Sequence, residues 1–266
     1  MGSPLRALIR ISAYLFLTFV LMPVQLVALE LGSEAAMKLP LFYHRLCARI
    51  LGFQIRIHGK IERKGPVLFA CNHTSYTDIA ILGSILPASF VAKAEVASWP
   101  LFGILAKLQR TVFVARRGPK AAAQRDEMIR RLERGDNLIL FPEGTSSDGN
   151  AVLPFKSALF SVAQVRPNDA PLRVQPVSVA YTRLDGMPIG RALRPYFAWY
   201  GDMTLAPHFW ALAGLGHATV DVVFHPPVTI DAYGNRKQLA DACFEVVARG
   251  VSAANAGRLD ELLAAA

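Results

Sequence analysis

The chain has 266 residues, 53% of them hydrophobic and 18% charged, with a formal net charge of +9. That length accommodates one α/β domain with a full core or at most two small ones, the apolar bias predicts a surface that faces something other than water, and the positive excess predicts a polyanionic neighbour, either nucleic acid or anionic lipid headgroups. Cys47, Cys71 and Cys243 are odd in number, widely spaced and unaccompanied by a C-x-x-C pair or a His cluster, so neither a disulfide framework nor a metal site is expected.

The first predicted element is the uncharged stretch 11–29, ISAYLFLTFVLMPVQLVAL. As a helix it measures about 28 Å against a hydrocarbon core of ~30 Å, enough to span a bilayer only just. Pro23 lies inside it, Arg6 and Arg10 precede it, and Lys38, Arg45 and Arg49 follow it. These features favour a partly immersed helix over a simple span, and with basic residues on both flanks they leave its orientation open. Leu41, Phe42, Leu46, Ile50 and Leu51 then recur at near-helical spacing among basic residues, as in an interfacial amphipathic helix. No small-residue cleavage site follows Leu29, so the segment is read as retained. Residues 1–51 are therefore expected to form a helical membrane-docking segment, ahead of a catalytic domain over 52–266.

Beyond Gly52, short apolar runs alternate with amphipathic stretches, the pattern of βα units around a largely parallel sheet. Strands are predicted at 53–58, 67–71, 90–92, 111–114, 138–141, 174–181 and 218–224. Pro176 cannot donate to a ladder and is expected at an edge or beside a bulge. Helices are predicted at 78–86, 100–108, 121–134 and 236–251, with a shorter one at 154–164. The aromatic stretch 199–210 is read as packing, and the remaining histidines as core or surface residues.

Two stretches carry chemistry. Asn72, His73 and Asp78 follow the apolar run VLFAC in NHTSYTD, at the carboxyl end of a strand, where open α/β sheets place their sites. On one continuous helix His73 and Asp78 would point about 140° apart. A turn between them, with Asp78 in the first turn of the next helix, lets the carboxylate fix the imidazole tautomer and stabilise the imidazolium. Ser75 or Thr77 is expected to cap that helix. In NLILFPEGTSSDG, Pro142 ends a second strand and Gly144 permits unusual backbone angles, so Glu143 is expected to face a cleft and to suit a hydroxyl-bearing substrate.

Taken together, these pieces resemble the glycerolipid acyltransferases, typified by the lysophosphatidic acid acyltransferases. The resemblance covers about 52–181 in four ordered motifs. Asn72-His73 with Asp78 is similar to the first, whose His and Asp are the family's catalytic pair. Phe113-Val114-Ala115-Arg116 resembles the second, which implies that Arg116 contacts the polar head of the acceptor, and Lys93 resembles the lysine that precedes it. Phe141-Pro142-Glu143-Gly144-Thr145 resembles the third, implying that Glu143, Gly144 and Thr145 hold the acceptor together with Asn72. Val174-Gln175-Pro176-Val177 resembles the fourth. The fold implied is a mixed, largely parallel sheet with helices on both faces, preceded by a helical docking motif.

Ser146 and Ser147 follow Thr145 where the family commonly has an arginine suited to phosphate. The stretches GTSSDGNAVLPFKSALF and AWYGDMTLAPHFW are similar to bacterial lyso-ornithine lipid acyltransferases. The expected activity is transfer of a fatty acyl chain from an acyl carrier protein or coenzyme A thioester, as co-substrate and without a cofactor, to the hydroxyl of a lyso-ornithine lipid. Lysophosphatidic acid is the alternative acceptor, and a non-enzymatic lipid-binding protein the alternative class. Without zinc spacing or an RNP-like stretch, a nucleic-acid partner is set aside. The expected location is the bacterial inner membrane, with the active site on its cytoplasmic side. No G-x-S-x-G elbow is present and Cys71 ends an apolar strand, so no covalent intermediate is expected.

Overall fold

In the computed structural model, which describes residues 2–114 and 120–264, the buried run 67–71 is the strand from which the site is built. In chain order the elements are α1 (Pro4–Glu30), α2 (Ala35–Ile50), β1 (Phe53–Gly59), β2 (Val67–Cys71), α3 (Thr77–Gly83), β3 (Ser89–Lys93), α4 (Phe102–Leu108) and β4 (Val112–Val114). They continue with α5 (Lys120–Glu133), β5 (Leu138–Leu140), β6 (Arg173–Leu184), β7 (Met187–Pro188), α6 (Leu205–Gly214), β8 (Ala218–Phe224), α7 (Arg236–Asn255) and α8 (Leu259–Ala264). The sheet order is β1-β8-β6-β2-β5-β3-β4, with β7 paired to β6. Pairing is parallel except where β6 meets β7 and β8, so the sheet is mixed and largely parallel, as predicted.

All five residues of β2 are buried because both faces of the sheet are covered. Val67, Phe69 and Cys71 point into one core with Ile81, Leu82, Val179 and Val220, while Leu68 and Ala70 point into the other with Leu132, Leu138, Phe160 and Val247. Burying a side chain the size of Phe69 or Leu138 stabilises the fold by about 1.5–3 kcal/mol each. The parallel register places Ala70 beside Leu140, so the loops leaving β2 and β5 emerge next to each other.

In α1 the usual burial pattern is inverted. Its inner stripe runs through Ala7, Arg10, Thr18, Gln25 and Ala28, small or polar residues, while Leu5, Ile9, Phe16, Phe19, Val20, Val24 and Val27 are exposed. The polar residues fasten the helix at three levels. Arg10 donates from Nη1 to the carbonyls of Ala213, Leu215 and Gly216 at 3.2, 2.7 and 3.2 Å. Thr18 shares a 2.9 Å hydrogen bond with the Tyr43 hydroxyl on α2. Gln25 donates from Nε2 to Ala36 O at 3.0 Å and Leu108 O at 2.9 Å, which ties α1 to α2 and α4.

Several elements differ from their predicted form. α1 begins at Pro4 behind a Ser3 cap and runs straight through Pro23, so Arg10 is a buried fastener and not a flanking charge. Leu51 is a core residue, and only Phe42 of the expected apolar stripe of α2 is exposed. Residues 157–164 form a 3-10 helix and not an α-helix. α3 stops at Gly83, where a turn leads to Pro87. α6 was not predicted at all. Pro176 sits in an interior strand, paired with Ala70, and not at an edge. The bulge alternative holds instead: antiparallel pairing runs to Val177–Phe224 and resumes at Val174–Val228 with one extra residue on the partner side, and between them His225 N donates to Pro176 O at 3.1 Å.

Candidate active site

The loop after β2 is locked from several sides before it presents any chemistry. Asn72 extends the strand with its side chain, accepting from Val179 N at 2.7 Å and donating to Val179 O at 2.9 Å. His73 O accepts from Ser147 N at 2.9 Å, and Thr74 O accepts from Trp199 N at 3.0 Å. Glu143, at the turn after β5, accepts from His73 N at 2.6 Å with Oε1 and from Leu153 N at 2.7 Å with Oε2. Gly144 follows with φ +66°, in the left-handed region that favours glycine, and its N–H closes the turn on Phe141 O at 3.0 Å.

On this frame His73 Nδ1 lies 2.8 Å from Asp78 Oδ2. The same carboxylate oxygen accepts from Thr74 N at 2.7 Å and Ser75 N at 2.9 Å, and Oδ1 accepts from the Tyr181 hydroxyl at 2.8 Å. Asp78 is fully buried in the first turn of α3. A buried carboxylate taking donors on both oxygens acts as acceptor, which assigns the ring proton to Nδ1 and leaves Nε2 to face a reactant. The imidazole stacks on Phe141, with centroids 4.1 Å apart and planes at 18°.

His73 opens on a cavity of about 590 Å³. Its lining includes Phe141, which stacks on the histidine, and Lys93, Gly144, Thr145 and Ser146. Further in, it runs between α1, α2 and α4, past Leu21, Met22, Leu39, Cys47 and Leu105. His44 also lines it, bonded to Gln109 at 3.0 Å and pushed down to about 4 by burial, so that it contributes no charge near neutral pH. A volume of this size with an apolar lining suits a long aliphatic ligand.

His73, Lys93, Gly144 and Thr145 line one cavity, with Asp78 bonded to His73 behind it, and other expectations are corrected. Glu143 does not face the cleft. It is buried with both oxygens held by backbone N–H groups, because the adjacent registers of β2 and β5 bring the two turns together. Burial pushes its carboxyl up to about 8, against the lowering effect of the His73 and Leu153 N–H donors. Asn72 is likewise buried and committed to β6, not directed at a substrate. The expected caps also differ, since Thr77 bonds Tyr181 at 2.6 Å and Asp78 itself gathers the loop N–H groups. Arg116 lies outside the described residues. Cys71 is buried, and burial followed by the nearness of Asp78 raises its thiol far above the ordinary range, so it offers no thiolate. Tyr181, Trp199 and His208, whose Nδ1 lies 2.9 Å from the Tyr76 hydroxyl, were not singled out as site residues, because nothing in their spacing marks them.

A His–Asp pair at the carboxyl end of a parallel strand, opening on an apolar cavity, is the arrangement of an enzyme that uses a general base on an apolar substrate. The acyltransferase family model matches residues 54–180. The chain is 45% identical over 245 residues to a lyso-ornithine lipid O-acyltransferase of Brucella abortus (strain 2308), covering 90% of this chain and 91% of that protein. It is 34% identical over 164 residues to a 1-acyl-sn-glycerol-3-phosphate acyltransferase of Neisseria gonorrhoeae, covering 61% of this chain and 60% of that one. The crystal structure of the 1-acyl-sn-glycerophosphate acyltransferase PlsC from Thermotoga maritima shares the fold, with a TM-score of 0.66 at 22% identity over 93% of this chain and 95% of that one. The chain belongs to the acyltransferase family and is an enzyme of that kind.

Proposed function

We propose that the protein is a lysolipid O-acyltransferase that moves a fatty acyl chain from an acyl carrier protein or coenzyme A thioester onto the hydroxyl of a lyso-ornithine lipid. The observation that carries this reading is the His73–Asp78 pair, with His73 lining a cavity of mostly apolar wall. The name of the Brucella relative and the absence of an arginine after Thr145 favour the lyso-ornithine acceptor. The Neisseria relative supports lysophosphatidic acid as the second reading.

In the proposed reaction the acyl chain lies in the cavity with its thioester carbonyl beside His73. Nε2 takes the proton of the acceptor hydroxyl as its oxygen attacks the carbonyl carbon, and Asp78 stabilises the imidazolium. When the tetrahedral intermediate collapses, the C–S bond breaks, the electron pair goes to sulfur, and the imidazolium proton returns to give the free thiol. General-base help of this kind contributes about 10² to 10⁴ in rate. Lys93, Thr145 and Arg116 are assigned to the acceptor headgroup. Residues 1–51 form the docking segment. The exposed apolar face of α1 enters the headgroup and acyl boundary of the bacterial inner membrane on the cytoplasmic side, while its polar stripe stays fastened to the domain.

The test incubates purified protein with both acceptors and both donors and identifies products by mass spectrometry. Ornithine lipid formed by wild type and lost in His73→Ala supports the reading. Phosphatidic acid as the sole product moves the assignment to the second acceptor, and lysolipid binding without transfer would overturn the enzymatic one.

A further inference from the structure

Three of the four donors to Asp78 converge on Oδ2, and they come from its own loop: His73 Nδ1, Thr74 N and Ser75 N. Oδ1 has a partner from another element, the Tyr181 hydroxyl on β6, at 2.8 Å. That hydroxyl also lies 2.6 Å from Thr77 Oγ1. A carboxylate only accepts, and a phenol has one proton. The proton order is therefore fixed, with Thr77 donating to Tyr181, Tyr181 to Asp78 Oδ1, and His73 to Asp78 Oδ2. The tyrosine ring is immobilised as well: it is buried, stacked on Phe197 at 5.5 Å and 19°, and meets Phe53 edge-on at 6.0 Å.

An aspartate whose contacts lie on one oxygen can still turn about its Cβ–Cγ bond, a broad and soft torsion. A rigid donor on the other oxygen removes that freedom and draws part of the negative charge away from the imidazole side. We propose that Tyr181 is a positioning residue of the acyl-transfer site, acting through Asp78 to orient the His73 imidazole and to limit how tightly the carboxylate holds its proton. The inference rests on the reading of His73 as the base. Nothing in the chain's motifs places Tyr181 in the site; the bond arises because β6 lies directly beside β2.

Other titratable groups surround the site: Cys71 from β2 and Glu143 from the turn after β5 act on Asp78, Tyr76 at the head of α3 acts on Tyr181, and Lys93 at the end of β3 lines the cavity that His73 lines. All are shared by wild type and Tyr181→Phe, so a difference between the two proteins belongs to the hydroxyl. Phenylalanine keeps the ring contacts with Phe53 and Phe197.

The experiment compares full-length wild type, Tyr181→Phe and Thr77→Val in detergent micelles, using two readouts. The first is kcat and KM with whichever acceptor wild type turns over. The second is the NMR titration of the His73 imidazole, which needs no turnover. Tyr181→Phe is expected to lower kcat roughly tenfold with both KM values within about twofold, and to move the His73 titration midpoint to higher pH. Thr77→Val should move both readouts the same way by less. Unchanged kcat and midpoint in Tyr181→Phe overturn the proposal, and so does a fall in kcat without a shift in midpoint, which is what a purely structural role produces. If Tyr181→Phe does not fold, Thr77→Val decides by the same criteria. A midpoint shift in a protein whose His73→Ala form still turns over would leave the hydrogen-bond chain standing while removing His73 as base, so the two failures are distinguishable.

Discussion

Glu143→Gln separates a residue that holds the frame from one that holds the substrate. The carboxylate accepts from His73 N and from Leu153 N, one on each oxygen. A glutamine amide has one acceptor oxygen, so one of the two buried N–H groups would face an NH2 group and lose its partner. An orphaned buried donor costs about 1–3 kcal/mol. For a chain of this size that lowers Tm by about 2–4 °C per kcal/mol, or roughly 2–12 °C. The change also removes a titration. Burial raises the carboxyl from 4.5 to about 8 in the folded protein, so between those values the folded state holds a proton that the unfolded state has released. Stability from this group is complete below about 4.5 and falls as pH rises through about 8. The variant should therefore be less stable at pH 5 and show a flatter decline toward pH 8, measured by thermal denaturation at several pH values. In the same protein kcat should fall while the acceptor KM changes little, because His73 loses its tie and the cavity wall is intact. Wild-type stability together with a raised acceptor KM would refute the reasoning and return Glu143 to the substrate.

The same logic predicts other changes. Asn72→Ala strips both partners from the Val179 backbone, with a cost of about 1–3 kcal/mol for each buried group left open, and should lower Tm and kcat with little effect on KM. Arg10→Ala leaves the Ala213, Leu215 and Gly216 carbonyls without their donor, and should make the turn between α6 and β8 markedly more sensitive to limited proteolysis. Gly144→Ala forces a side chain into φ +66° and places its Cβ 2.6 Å from Lys156 Nζ, so a loss of about 1–2 kcal/mol is expected in denaturant titration.

What could be read from the chain follows from how local each signal is. β2 and β5 are apolar runs closed by polar turns, and the requirement for a bend between His73 and Asp78 follows from helical geometry alone; both are properties of a few adjacent residues. The partners of Glu143 and Asn72 depend on strand register across separations of 70 and 107 residues, which no local pattern encodes. Turn chemistry alone therefore points Glu143 at a cleft, although its turn lies against another loop. α6 carries no helical signal because TLAPHFWALAG has no polar face to set a period. The inner stripe of α1 was obscured for the opposite reason: its uncharged residues read as one continuous apolar block, in which Thr18 and Gln25 carried no weight until their partners were known.

The three carbonyls that secure Arg10 lie more than two hundred positions further along the chain. At a translation rate of about 5–20 residues per second, roughly 10–40 s separate synthesis of the arginine from synthesis of its acceptors. Within that interval α2 and then α4 emerge to meet the carboxyl-terminal half of α1 through Thr18 and Gln25, while its amino-terminal end still lacks the acceptors that hold Arg10. The helix pair at the head of the chain thus assembles first, and Arg10 closes it onto the sheet only when its acceptors in the last third of the chain have been made.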